Sequence, residues 1–375
     1  MAKAFLPYSR QSIDDDDIAA VVEALRSDWL TTGPVVERFE TDVCTFTGVK
    51  YGVAVCNGTA ALHAAMYALD IGPGDEVVVP PTTFAATANC VLYQGGTPVF
   101  ADVEPGTLLI DPKAVEAAIT SNTKVIIGVD YAGQPCDWDT LRAIADKNGL
   151  ALVADACHAL GMEYKGRKAG TLADISVFSF HPVKHITTGE GGMCMTDHPA
   201  LAQKMRVFRN HGITTTPSQR EKAGDWFYVM TDLGYNYRIT DIQCALGSSQ
   251  LKKLPAWLRK RNALAEVYDA AFAGTDIRPL TKKPDCFHAY HLYVARVPER
   301  DAVFKRLREN GIGANVHYVP VHLHPYYREK LGMKVGMLPV AEAAYQEIIT
   351  LPLWPAMEKA HIDRVTSLLR RIHDG

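Results

Sequence analysis

Between about residues 13 and 250 the chain repeats one pattern, a short apolar run followed by a longer amphipathic segment. The runs fall at 52–56 (GVAVC), 76–79, 98–101, 124–129 (KVIIGV), 151–154 (ALVA), 175–179 and 192–196. Helical spacing fills 18–27, 59–69, 82–93, 112–119 and 138–148. A short, wholly apolar strand has to be covered on both faces, and a helical crossover lets the next strand run parallel to it. The pattern therefore predicts an α/β fold with a mainly parallel seven-stranded sheet between helices. Ligands of such sheets sit beyond the carboxyl ends of the strands. Asn57-Gly58-Thr59, Asp130 and Asp155 each follow a run directly, which puts them at that edge.

The pattern changes after Leu254-Pro255. A long helix at 256–273, strands at 292–297 and 314–318, and helices at 301–310 and 358–372 predict a smaller α+β body. The expected division is a large domain over 1–254, including the N-terminal segment, and a C-terminal domain over 255–375.

Composition narrows the function classes. The 375 residues carry 39 Lys+Arg against 42 Asp+Glu, a net charge of −3, with the two signs interspersed. No basic stripe supports nucleic-acid binding, and no basic amphipathic helix marks a membrane surface. The eight cysteines form no CxxC pair and most lie in apolar stretches, so reduced, buried thiols are expected. The start shows no basic segment followed by an apolar run, and no apolar stretch nears the ~18 residues a membrane span needs. A cytoplasmic location is expected.

The segment 178–192, FSFHPVKHITTGEGG, carries the sharpest chemical signal. Lys184 stands just beyond a buried strand and ahead of a glycine-rich stretch, which can aim its amine into a site and partly desolvate it. Desolvation lowers an amine's pKa and frees it as a nucleophile for an aldehyde. A lone lysine beside a Gly-rich turn is otherwise a surface residue. Asp155, in DACHALG (155–161), supplies context, because a carboxylate ending a strand can keep a pyridinium nitrogen protonated. His158 can hydrogen-bond near a ring oxygen. Gly58 and Thr59 open a helix whose free N–H groups and hydroxyl suit a phosphate, and Ser179 can add a contact. Phe84 can stack on a ring. Alone, each has a plainer role as cap, strand residue or core aromatic. The segment 234–241 gathers an amide, two phenols and a guanidinium suited to anions and sugars, or serves as a capping loop at Thr240. His317 and His322 have metal-like spacing but no acidic or cysteine partner nearby, so no metal is expected.

In order along the chain these stretches resemble the sugar-nucleotide aminotransferase family, the DegT/StrS group of fold-type I pyridoxal 5'-phosphate (PLP) enzymes. The likeness runs from about Pro7 to Pro355. PPTTFAATANCVLYQGGTPVFAD (80–102), DYAG (130–133), DACHALG, FSFHPVKHITTGEGG and YNYRITDIQCALGSSQLKKL (235–254) most resemble one subgroup, the UDP-4-amino-4,6-dideoxy-N-acetyl-β-L-altrosamine transaminases of pseudaminic-acid biosynthesis. The resemblance implies PLP joined to Lys184, with Asp155 at the ring nitrogen and Phe84 stacked on the ring. It implies Gly58, Thr59 and Ser179 at the phosphate, with Asn236 reaching it from the neighbouring subunit of a homodimer. His158 stands where many broader members have Gln. Tyr8, Leu30, Thr31, His317 and Tyr318 match sugar-nucleotide contacts. Dehydratases of the group have His where this chain has Lys184, so transamination is implied, with L-glutamate as donor and a UDP-linked 4-keto sugar as acceptor. A UDP-4-keto-pentose is the alternative acceptor, and a non-catalytic PLP-binding regulator is the alternative of another class.

Overall fold

The computed structural model describes residues 4–373. Its central sheet contains β1 (Tyr51–Val55), β2 (Glu76–Val79), β3 (Thr97–Phe100), β4 (Thr123–Val129), β5 (Ala151–Asp155), β6 (Ile175–Ser179) and β7 (Gly192–Thr196). The spatial order is β1-β7-β6-β5-β4-β2-β3. β7 runs antiparallel to both neighbours, and the strands from β6 to β3 are mutually parallel. The expected α/β architecture is the one found.

The period of two along a strand sends alternate side chains to opposite faces, and here each face has its own core. Val53, Val77, Ile127, Val153 and Cys194 face one side, where they meet the helices Gly58–Ala68, Ala86–Tyr93 and Pro199–Phe208. Ala54, Val78, Ile126, Leu152 and Met193 face the other, against Pro34–Thr47, Trp138–Asn148 and the first half of a long helix. That double burial is why the strands read as continuous apolar runs.

A third core lies in a second layer. β8 (Tyr293–Arg296) and β9 (Ile348–Leu351) form a three-stranded sheet with Arg278–Pro279. The helices Arg300–Glu309 and Lys359–His373 cover it.

Three expectations change here. The helix expected from 256 is the continuation of one 32-residue helix, Asp241–Phe272, with Pro255 inside it. An interior proline costs about 3 kcal/mol through its missing N–H and ring clash. Burial on both sides of it offsets that: Leu254 and Leu258 enter the sheet core, and Leu264, Tyr268 and Phe272 enter the third. The expected boundary at 254/255 thus falls within a continuous helix. The first residues of the N-terminal segment join the second layer, because Leu6 bridges Ile312 and lies in the third core. The strand expected at 314–318 is a single bridge, Asn315 to Thr350. Beyond it the His317 carbonyl accepts from the Tyr131 hydroxyl, so the segment turns to the large sheet's edge and forms no ladder.

The first helix, Asp15–Arg26, is fastened to the long helix by a buried carboxylate. Asp17 is fully buried and accepts from Ser249 Oγ (2.7 Å) and Gln250 Nε2 (2.6 Å), with Lys253 Nζ at 2.8 Å. Removing one partner of a buried ion pair leaves the other groups unsatisfied. Asp17→Ala is therefore expected to cost about 3–5 kcal/mol, seen as a lower midpoint in thermal or urea denaturation. An unchanged midpoint would show that the carboxylate is not a structural anchor.

Candidate active site

Lys184 sits on a closed loop. After β6, Phe180 N donates to Gly191 O (2.8 Å) and Thr188 N to Phe180 O (3.0 Å), which returns the glycine-rich stretch beside the strand end. Lys184 N donates to His181 O (2.9 Å), and its Nζ lies 3.3 Å from His291 Nε2. Burial lowers the amine's pKa from its ordinary value, with Cys157 and Asp155 opposing the shift.

Asp155 ends β5, buried, with its carboxylate held at both oxygens. Oδ1 accepts from Cys157 N (3.2 Å) and Oδ2 from Thr87 Oγ1 (2.6 Å), and Thr87 lies 2.7 Å from Thr83 Oγ1. A hydroxyl has one proton to give. Thr87 gives it to Asp155, so Thr83 donates to Thr87 and the chain of hydroxyls runs one way. Thr87 lies in the first turn of the Ala86–Tyr93 helix, which starts later than the expected 82, after bends at 81–83. Asp130 turns away from this edge. Its Oδ1 accepts from Cys136 N and Trp138 Nε1, Oδ2 has no partner, and burial raises its pKa to about 7.

At β1 the helix Gly58–Ala68 starts with an Asn57 cap. Ala60 N is taken by Asn57 Oδ1 (2.8 Å) and Ala61 N by Asn57 O (3.2 Å). The first turn of a helix has four free N–H groups, so those of Gly58 and Thr59 are left. A Cβ on Gly58 would lie 3.0 Å from Ser179 Cβ, which explains the glycine and places Ser179 against the same helix start.

The rings form a second group. Ala132 N donates to His158 Nδ1 (3.3 Å), which leaves the proton on Nε2, 3.0 Å from the Tyr318 hydroxyl. Burial pushes His158 well below the usual histidine range. His317 is fixed by Thr350 Oγ1 at 2.8 Å from Nδ1, and the Tyr8 ring stands 5.5 Å from its ring. Phe84 is 60% exposed, its ring 6.1 Å from that of Tyr318. The N-terminal segment, the large sheet's edge and the second layer thus meet at Tyr8, His158, His317 and Tyr318.

Three expected site residues stand apart from this group. Leu30 O accepts from Asp241 N (3.0 Å), and Thr31 bridges Thr240 at the start of the long helix. Asn236 is exposed and bridges Asn210. Its neighbour Tyr237 accepts from Cys56 N (2.9 Å) and pairs with His63 Nδ1 (3.0 Å). Sequence reasoning missed Thr87, Tyr131 and His291. Thr87 lies inside the quoted 80–102 stretch, where a strand-facing hydroxyl three residues past Phe84 was the available signal. His291 had none, being one His ahead of a strand.

The family model of the DegT/DnrJ/EryC1/StrS aminotransferases matches residues 11–370. The chain belongs to that family. It is 42% identical over 381 residues to the spore coat polysaccharide biosynthesis protein SpsC of Bacillus subtilis (strain 168), covering 99% of this chain and 98% of that protein. Spr1654 of Streptococcus pneumoniae, solved in its PLP form, superposes with a TM-score of 0.93 at 34% identity, over 99% of each chain. Helicobacter pylori PseC, an aminotransferase involved in the biosynthesis of pseudoaminic acid, gives 0.92 at 33%, over 99% of this chain and 100% of that one. This DegT-family chain is a PLP-dependent sugar aminotransferase. Its residues fit the cofactor on their own terms: two free N–H groups and Ser179 for a phosphate, a fixed buried carboxylate for the ring nitrogen, and a desolvated amine for the aldehyde.

Two outcomes are expected in this family member. Thr87→Val should loosen Asp155 and weaken PLP binding about tenfold, roughly one charge-assisted hydrogen bond, while Thr87→Ser stays near wild type in an absorbance titration. Equal affinities would remove Thr87 from the site. Burial also holds His63 at about 4, and His288 and His317 at about 3. These values lie below the unfolded histidine's ~6.5, so the unfolded chain takes up protons first as pH falls. Stability is full above about 6.5 and declines toward pH 3–4, by about 2 kcal/mol per such histidine at pH 5. The denaturation midpoint should fall between pH 7.5 and 5, and fall less in His288→Asn; an equal fall in that variant contradicts the assignment.

Proposed function

We propose that this aminotransferase moves an amino group from L-glutamate to C4 of a UDP-linked 4-keto-6-deoxy-N-acetyl hexosamine, as in pseudaminic-acid biosynthesis. The observation that carries the chemistry is the desolvated Lys184 amine beside the fixed Asp155 carboxylate at the strand ends. PLP, when bound, supplies an electron sink for the charge that develops on the substrate carbon. Asp155 holds a proton at the ring nitrogen. Lys184 would hold the cofactor and, with its amine free, would serve as the general base and acid that takes and returns a proton at the substrate carbon. Gly58, Thr59 and Ser179 would hold the phosphate, His158, whose Nε2 lies 3.0 Å from the Tyr318 hydroxyl, would stand near the ring oxygen, and Phe84 would cover the ring.

The sugar nucleotide would lie along Tyr8, His317 and Tyr318, with Leu30 and Thr31, which stand apart from them within one chain, assigned to it through the family resemblance. The likeness to PseC and the meeting of Tyr8, His317 and Tyr318 beside His158 support that reading. A homodimer completes the site, with Asn236 reaching the partner's phosphate. Support comes from its exposed position and from exposed apolar residues in the segment that leads to it: Trp226 is 84% exposed and Leu233 73%. Large exposed apolar patches of that kind are commonly interaction surfaces. All eight cysteines are free, which fits a cytoplasmic enzyme. Among the described residues no helix is long and apolar enough to cross a membrane.

The test is amination of candidate 4-keto UDP-sugars with glutamate, the products identified by mass spectrometry. The 6-deoxy-N-acetyl hexosamine should be converted fastest and Lys184→Ala should be inactive. Preferred conversion of the UDP-4-keto-pentose moves the enzyme to that substrate. Binding of PLP with no amination of any keto sugar favours the regulator.

A further inference from the structure

His291 is 2% exposed, belongs to no motif and touches the amine on which the reaction depends. We propose that His291 is the positioning residue of Lys184: its Nε2 accepts a hydrogen bond from Nζ whenever the amine is free, and fixes where that amine waits between its two proton transfers. The proposal rests on the reading of Lys184 above.

The geometry leaves one role for the ring. An ammonium has no lone pair, so it can only donate. Towards the charged form of Lys184, Nε2, 3.3 Å away, is then the bare nitrogen and Nδ1 the protonated one. Nδ1 is buried without a partner, so the ring has no second anchor of its own. The anchoring is done through the backbone. Leu292 N donates to Ala132 O (3.2 Å), Ala289 N to Gly133 O (2.9 Å), and Arg261 reaches the carbonyls of Tyr290 and Leu353 (3.0 and 3.1 Å). Gly133 has φ +102°, and a Cβ there would lie 2.8 Å from Tyr290 N and 3.1 Å from His291 N. The turn that holds His291 is also the turn whose Ala132 N–H sets the His158 tautomer. One backbone staple therefore orients both imidazoles, whose rings lie 4.4 Å apart.

The other groups facing the amine do not replace His291. Asp155 is occupied by Thr87 and Cys157 N, and the Cys157 thiol is kept protonated by burial. His185 gives its Nε2 to Ala289 O, His158 is paired with Tyr318, and His317 with Thr350. Burial first, then the neighbouring Lys184 charge, push His291 well below the usual histidine range, with Arg261 adding to it. A neutral acceptor in a desolvated pocket stabilises the ammonium relative to the amine.

The experiment uses the full-length protein freed of cofactor, so its readout does not depend on turnover. Lys184 is acetylated with acetic anhydride across a pH series and quantified by peptide mass spectrometry. His291→Phe should lower the pH midpoint of labelling by about one unit, a tenfold change in the amine's proton affinity, whereas His291→Asn, which keeps an acceptor, stays near wild type. An unchanged midpoint in His291→Phe overturns the proposal. Should that variant fail to fold, 15N NMR of the wild-type ring decides: Nε2 bare and Nδ1 protonated supports it, and a proton on Nε2 with Lys184 charged overturns it. Loss of PLP attachment to Lys184 in the wild type would sink the underlying reading instead.

Discussion

A half-buried primary amine set among imidazoles is the constraint around which the rest of this molecule is arranged. Burial removes solvation from the charged form, so the lysine gives up a proton more readily and exposes the lone pair of the neutral amine. Lys184 gains that environment from three parts of the chain distant in sequence: the β6 loop that carries it, the β5 end with Asp155, and the second layer with His291 and His317. None of these works alone. The parallel sheet supplies the edge, because strands running the same way end at the same side. The second layer closes it.

That closure explains why the long helix spans both layers. Asp241–Phe272 contributes to the sheet core with one half and to the third core with the other. The two layers are thereby referred to one rigid element, and the Arg261 guanidinium on it reaches the carbonyls of Tyr290 and Leu353. Thr83–Thr87–Asp155 and Ala132–His158–Tyr318 repeat the principle at smaller scale. In each, a backbone or hydroxyl donor fixes a side chain that points at the site, so its orientation is set before any ligand arrives.

Much of this was legible in the sequence. The seven apolar runs gave the sheet because a strand buried on both faces must be apolar throughout, and their successors Gly58, Asp155 and Lys184 fell at the edge for the same reason. What was not legible depended on contacts between distant residues. Pro255 reads locally as a break, and only burial on both sides of it keeps the helix whole. The 314–318 stretch has strand composition, yet the Tyr131 hydroxyl takes the His317 carbonyl instead of a neighbouring strand. His291 is one histidine before β8, and it stands beside Lys184 only because a turn far earlier in the chain, at Ala132-Gly133, holds the backbone around it. Leu30, Thr31 and Asn236 were reached through family resemblance, and they stand apart from the Lys184 group within one chain.

The most direct measurement is to load the protein with PLP, reduce it with borohydride and map the modified peptide. The account predicts a phosphopyridoxyl group on Lys184 and nowhere else. A label on a different lysine, with Lys184 unmodified, would contradict it.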